Sequence, residues 1–328
     1  MITGYGVSDG KIRSLSDLLA QKEEAVWIDL LRPTNEEEKA LEAALGIDIP
    51  TREEMEEIEV SSRLYTDGGV SYMTALIPSR TEADDPVVSP VTFALTGSRL
   101  LTIRYEDPRV FPGFAARAQK TSMGCVNADT VLIGLLEAIV DRLADVVERA
   151  ANDADRISNE IFRQAGGNMS RARDFQRVLV ELGRTGDLNS KIRDSLVTLE
   201  RLFGFLILAA DQRFENDKRA EKDLRARLKT LSRDAQSLTD HVSFVSQKIT
   251  FLLDATLGMI NIEQNQIIKI FSVVAVCFLP PTLIASIYGM NFHFMPELSS
   301  RLGYPTVIIV MTLSAILPLL YFKKRGWL

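Results

Sequence analysis

Two stretches near the C-terminus carry no charge for 19 residues each: Ile270 to Tyr288 (IFSVVAVCFLPPTLIASIY) and Tyr304 to Phe322 (YPTVIIVMTLSAILPLLYF). At about 1.5 Å of rise per residue, each is long enough to cross the roughly 30 Å hydrocarbon layer of a bilayer. Buried helices of soluble proteins are usually shorter and keep a polar face. The pair therefore predicts a transmembrane hairpin.

Flanking charge predicts its orientation. Lys269 precedes the first span and Lys323, Lys324 and Arg325 follow the second, whereas the connecting loop has only Arg301 as a base. The positive-inside tendency puts both ends in the cytoplasm, the loop outside, and the 269 residues ahead of the hairpin in the cytoplasm. The opening MITGYGVSDGKIRSLSD has no apolar run behind its charges, so no signal peptide is expected. The two cysteines, Cys125 and Cys277, cannot build a disulfide framework, which agrees with a reducing compartment.

Composition alone hides this organisation, since 46% hydrophobic and 25% charged residues in 328 would suit a soluble protein. Proline divides what remains. Seven of the twelve fall at or before Pro112 and the next is Pro280, leaving 167 residues with none, a helical signature. Before that stretch lie short β-rich runs: AVWIDLL from Ala25, VSYMTALIP from Val70, VSPVTFALT from Val88 and RLLTIRY from Arg99. NEEEKALEAAL from Asn35 reads as a helix with its acids in the first turn, where the helix dipole favours them.

The expected architecture is an α+β membrane protein. Residues 1–124 form a small α/β domain with a mixed or antiparallel sheet, and residues 125–269 a stalk of long helices. Residues 270–288 form the first span, 289–303 the outer loop, 304–322 the second span and 323–328 a basic tail. The stalk has two expected breaks, QAGGNMS from Gln164, with Ser170 as a cap, and LAADQRFEND from Leu208. From Arg213 to Leu279 there is one glycine and no proline; a single helix there would run roughly 100 Å.

A helix that long needs a partner. Asn261, Asn265, Ile268, Ser272, Ala275, Leu279, Thr282, Ser286 and Gly289 step by four and three, a heptad seam that holds every serine and threonine of the first span. Two readings fit. Small hydroxylated residues let helices pack closely in lipid; alternatively, several copies surround an axis and the seam lines a water-filled path. The asparagines at its cytoplasmic end favour the path, because a close-packed dimer has no use for them.

Neither span has an acid, so a dehydrated divalent cation would find no carboxylate there. Amide and hydroxyl oxygens suit an ion that keeps its water, as Mg²⁺ does. His241 and His293 are the only histidines and no Cys/His cluster exists, which disfavours metals that want nitrogen or sulfur. No G-x-x-x-x-G-K-[ST] loop is present, against ATP-driven pumping, and no nucleophile–histidine–acid set points to an enzyme. With 44 acids against 38 bases and a pI near 5.3, nucleic acid is not an expected partner.

The loop and its surroundings, YGMNFHFMPEL followed by GYP, an apolar span and FKKRGWL, resemble the signature of the CorA magnesium transporters; WIDLLRPT from Trp27 resembles the family more loosely. The resemblance implies a homopentameric, funnel-shaped, channel-like transporter for Mg²⁺, and also Co²⁺ or Ni²⁺, with no cofactor and with Mg²⁺ as substrate and regulator. It puts Gly289, Met290 and Asn291 at the outer mouth, where Asn291 would meet the ion through its hydration shell, and Glu297 as the loop acid that draws cations in. It makes Asn265, Ile268, Phe271 or Ser272, Ala275, Leu279 and Thr282 pore-lining, with Ser286 on the same seam. Leu279, Phe271 and Ile268 would form a hydrophobic constriction, and Lys323, Lys324 and Arg325 a basic collar.

The family senses cytoplasmic Mg²⁺ at acidic sites between subunits. The stalk position expected to hold the sensing aspartate is Thr230 here, so the regulatory candidates are Asp234, Asp240 and Asp254 on the stalk and Asp84 and Asp85 in the α/β domain. A further departure is His293, two residues after the motif's asparagine, where an acid is common. A neutral imidazole would weaken cation capture and make uptake pH-sensitive. Two alternatives stand beside Mg²⁺ uptake: a zinc-transporting member of the superfamily and a non-conducting membrane-anchored sensor.

Overall fold

Sharp turns set the sheet. In the computed structural model, Asp9 and Gly10 both have positive φ and join β1 (Ile2–Ser8) to β2 (Lys11–Ser14) as a tight hairpin. The structure describes every residue except 19, 84, 165–170, 214–217, 292–294, 296–299, 301 and 328. After β3 (Trp27–Leu31) comes α1 (Asn35–Leu45), opened by a Thr34/Glu37 capping box and closed by Gly46 in the left-handed region. Two short helices follow, α2 (Arg52–Glu56), capped by Thr51, and α3 (Val60–Arg63). β4 (Leu64–Asp67) turns through Gly68 and Gly69, again at positive φ, into β5 (Val70–Ser79). β6 (Val87–Leu95), β7 (Leu100–Arg104) and α4 (Val110–Lys120) complete this part.

The seven strands form one mixed sheet in the order β2-β1-β3-β7-β6-β5-β4, antiparallel except for the parallel β3–β7 pair. The expected strands appear as β3, β5, β6 and β7, and the expected helix at Asn35 as α1. β1, β2 and β4 carry no such signal. β1 contains Gly4 and Gly6, where a Cβ would lie 2.6 Å from Leu18 Cδ1 and 3.1 Å from the Glu24 carbonyl oxygen. Close approach of neighbours requires glycine at two of its seven positions, which weakens the β signal that Ile2, Thr3 and Val7 would otherwise give.

Strand alternation feeds two cores. Trp27, Met73, Ala75, Phe93 and Leu100 point to one face, and Ile28, Leu30, Tyr72, Leu101 and Ile103 to the other, which α1 and α2 cover with Leu41 and Met55. The first face is covered by α4 and by the long helices α5 (Ala128–Gln164), α6 (Arg171–Arg213) and α7 (Lys218–Tyr288). Leu136 and Leu143, Leu199 and Phe203, and Leu228 and Leu231 join the sheet residues in one cluster. Because both faces are covered, all five residues of β7 are buried. Within it Arg104 makes a bidentate pair with Asp29 at 3.0 and 2.8 Å, and Thr102 bridges Asp29 and the Trp27 indole at 2.7 and 3.0 Å. Trp27 and Asp29 of the WIDLLRPT stretch are thus structural.

The chain divides into two compact units, residues 1–166 with 176–252, and residues 253–328 with 167–175. The boundary falls within α7, which continues through Pro280 and Pro281. The second unit also contains α8 (Gly303–Lys324). Helices end at Gln164 and Arg213, where breaks were expected; Ser170 lies outside the described residues.

Candidate functional site

The apolar segment of α7 and all of α8 are long and apolar enough to cross a membrane, and they are almost wholly uncovered, with 11% and 0% of the residues in their most apolar windows buried. A core helix of a soluble protein would be mostly buried. Exposed aliphatic surface on this scale calls for lipid or for further copies of the chain.

The two helices do cover one stripe of each other. Val273 and Cys277 are the buried side chains of the first span, at 4% and 6% exposure. Cys277, Phe278 and Pro281 face Met311, Ala315 and Leu319 of α8 across a shared apolar cavity. At about 100° per residue, Thr282 is turned about 180° from Val273, and Ser272, Ala275, Leu279 and Ser286 lie 100–160° away. The seam therefore runs along the side that α8 leaves bare.

Each of its members is exposed: Asn265, Ser272, Ala275, Thr282 and Ser286, and the apolar Ile268, Leu279 and the adjoining Phe271 at 61%, 67% and 71%. Thr282 donates its hydroxyl to the Phe278 carbonyl at 2.7 Å, which leaves its oxygen lone pairs outward. Pro280 and Pro281 have no N–H to give the carbonyls of Val276 and Cys277, so the helical ladder is thinned beside the seam.

Gly289 ends α7, its N–H bonded to the Ala285 carbonyl at 2.9 Å. A Cβ there would come within 3.0 Å of that same oxygen, which explains the glycine. Met290 and Asn291 follow, both exposed. Glu297 and His293 lie outside the described residues.

At the other end of the hairpin the structure gathers the bases. The Lys269 ammonium sits 5.8 Å over the Trp327 ring, Trp327 stacks on Phe322, and the Arg325 guanidinium lies 5.6 Å from the Tyr321 ring. Lys323 and Lys324 close α8 in its last turn. The pairing of Lys269 with Trp327 was not anticipated, although an aromatic among bases at a span end is a readable interface signal.

The regulatory candidates Asp85, Asp234, Asp240 and Asp254 are all exposed, and Asp84 lies outside the described residues. Among the described residues no three His, Cys, Asp or Glu side chains form a group that could hold a metal. Thr230 spends its hydroxyl on the Ala226 carbonyl at 3.1 Å.

A mixed-sheet domain packed on long helices, with a two-helix apolar hairpin bearing a polar seam, defines a two-span membrane protein with a large domain outside the bilayer. Residues 22–324 match the model of the CorA-like Mg²⁺ transporter protein family, and the chain belongs to that family. It is 38% identical over 304 residues to the magnesium transport protein CorA of Escherichia coli K12, covering 93% of this chain and 92% of that protein. It is 35% identical to the magnesium transport protein CorA of Pasteurella multocida over the whole of both chains. Its fold matches the complete CorA magnesium transporter of Methanocaldococcus jannaschii with a TM-score of 0.76 at 20% identity, over 100% of this chain and 99% of that one. The full-length CmaX protein matches with a TM-score of 0.66 at 13% identity, over 100% and 98%. Members of the family are channel-like transporters and not enzymes.

Proposed function

We propose that this chain is one subunit of a homo-oligomeric, channel-like Mg²⁺ transporter of the plasma (inner) membrane, a pentamer by family resemblance, with both termini cytoplasmic. The observation that carries the reading is the bare polar seam on α7, opposite the stripe that packs on α8. Copies arranged about an axis would cover it only with one another and with water.

Asn291 stands at the outer mouth and meets the ion's water shell with its amide, helped by Glu297. Stripping Mg²⁺ in a low-dielectric pore without carboxylates would cost far more than a ring of hydroxyls returns, so the ion passes hydrated. Thr282, Ser286 and Ser272 offer oxygens to those waters. Leu279, Phe271 and Ile268 narrow the path with apolar rings that close by dewetting. The bases gathered at Lys269, Lys323, Lys324 and Arg325 hold the cytoplasmic end at the headgroups. Asp84, Asp85, Asp234, Asp240 and Asp254 repel across subunit contacts unless Mg²⁺ neutralises them, so cytoplasmic Mg²⁺ favours the closed assembly and its loss favours opening. Co²⁺ and Ni²⁺, similar hydrated divalent ions, pass the same filter.

Flux of Mg²⁺ into liposomes tests this. The wild-type protein transports Mg²⁺ without ATP, and Asn291→Ala reduces uptake to that of empty vesicles. No wild-type flux would leave the membrane-anchored sensor; Zn²⁺ flux requiring a proton gradient would leave the zinc transporter.

A further inference from the structure

Between the β5–β6 connection and α5 lies a cavity of about 400 Å³ that the ion pathway does not use. One side is apolar, from Val110, Ile139 and Leu143; the other carries Arg80, Arg109 and Arg142. The cationic side is under-neutralised. Arg80 has Glu106 at 3.7 Å, and among the described residues Glu82 alone serves Arg142 at 2.9 Å, Arg149 at 3.9 Å and Arg109. The second acid in the lining, Asp107, is itself shared with the buried Arg104. Arg142 and Arg149 also donate to the Thr81 hydroxyl at 3.4 Å.

A separate observation points into the same space. Ser79 lines the cavity at 2% exposure, and its hydroxyl has no hydrogen-bond partner among the described residues. A buried hydroxyl left unpaired costs about 1–3 kcal/mol, and a ligand oxygen would satisfy it. A tether for the connection needs one arginine on Glu82. Three guanidiniums, a waiting hydroxyl and an apolar wall beside them form a receptor for an anion with a hydrophobic part.

We propose that this cavity binds a small phosphate ester with an aromatic or apolar substituent. Arg109 and Arg142 hold the phosphate, for which the planar guanidinium is well matched, Ser79 donates to it, and Ile139 and Leu143 receive the substituent. Glu82 occupies part of the arginine cluster in the free protein and competes with the ligand. The inference does not depend on the transport reading.

The test is isothermal titration of the full-length protein in detergent and metal-free buffer with AMP, ribose 5-phosphate, inorganic phosphate and adenosine. AMP is expected to bind, with adenosine and the two phosphates lacking a base each weaker by about tenfold or more. Arg142→Gln should lower AMP affinity by about tenfold or more, since it removes a charge-assisted bond. Glu82→Gln should raise AMP affinity, a sign that a purely structural tether would not give. Should Arg142→Gln not fold, Ser79→Ala serves, with weaker AMP binding expected. Absence of AMP binding at millimolar concentration, or AMP affinity unchanged in Arg142→Gln and Glu82→Gln, overturns the proposal. Equal binding of inorganic phosphate and AMP overturns the role of the apolar wall.

Discussion

The two parts of α7 use apolar residues in opposite ways. Ahead of the unit boundary, Leu228, Leu231, Ala235, Val242, Val245 and Leu252 are buried while the remaining faces carry the charges. Beyond it, Ile267, Ile270, Val274 and Phe278 stand exposed at 47–68%, and the serines and threonines of the span are confined to one seam. In the first part water drives apolar side chains inward against the sheet and helices α5 and α6. In the second, lipid removes that drive, and what must be sheltered is the polar stripe. One helix thus has its inside defined by two solvents.

Truncation should cost stability only in the first part. Phe203→Ala empties a fully buried position in the core that α7 shares and should destabilise by about 3–5 kcal/mol, read as a fall in thermal unfolding temperature in detergent. Phe271→Ala, at a side chain 71% exposed, should leave unfolding nearly unchanged and raise Mg²⁺ leak under closing conditions by widening the constriction. If Phe271→Ala destabilised like Phe203→Ala, the comparison would break.

Smaller effects sharpen it at the edges. His293→Glu should strengthen capture and flatten the dependence of uptake between about pH 5.5 and 8; an unchanged profile would remove His293 from the mouth. In the water-facing part, Glu82 gives the least. Its hydrogen bond from Arg142, against a lesser opposing desolvation and with help from Arg109, holds its carboxyl below the usual glutamate range. The stabilisation is present above that usual range and is lost as pH falls through the lowered value. Glu82→Gln should therefore lower the unfolding temperature slightly near neutrality and remove a small part of the acid-side fall, so that the variant and the wild type converge at low pH.

What could be read in advance follows the same divide. The spans, α1 and the four central strands were legible because each repeats a local pattern, uncharged length, first-turn acids or β-rich runs. The seam was legible because lipid tolerates so few hydroxyls that their spacing stands out. Two turns did offer a local sign, Asp9-Gly10 and Gly68-Gly69, although the strands they join were hidden by glycines or brevity. Non-local pairings left none. Arg104 meets Asp29 from 75 positions away, and Arg142 meets Glu82 from 60. The described acidic candidates Asp85, Asp234, Asp240 and Asp254 are exposed, and no local pattern marks which of them would meet an ion.

The central claim is that the α7 seam faces the ion and the neighbouring face does not. Ala275 and Val274 are adjacent in depth and turned about 100° from each other. In a background with Cys125 and Cys277 replaced by alanine, cysteine is placed at one or the other, and Mg²⁺ flux is measured before and after a hydrophilic thiol reagent. Block of Ala275→Cys with Val274→Cys unaffected is the predicted result. Block at Val274→Cys with Ala275→Cys untouched would contradict it.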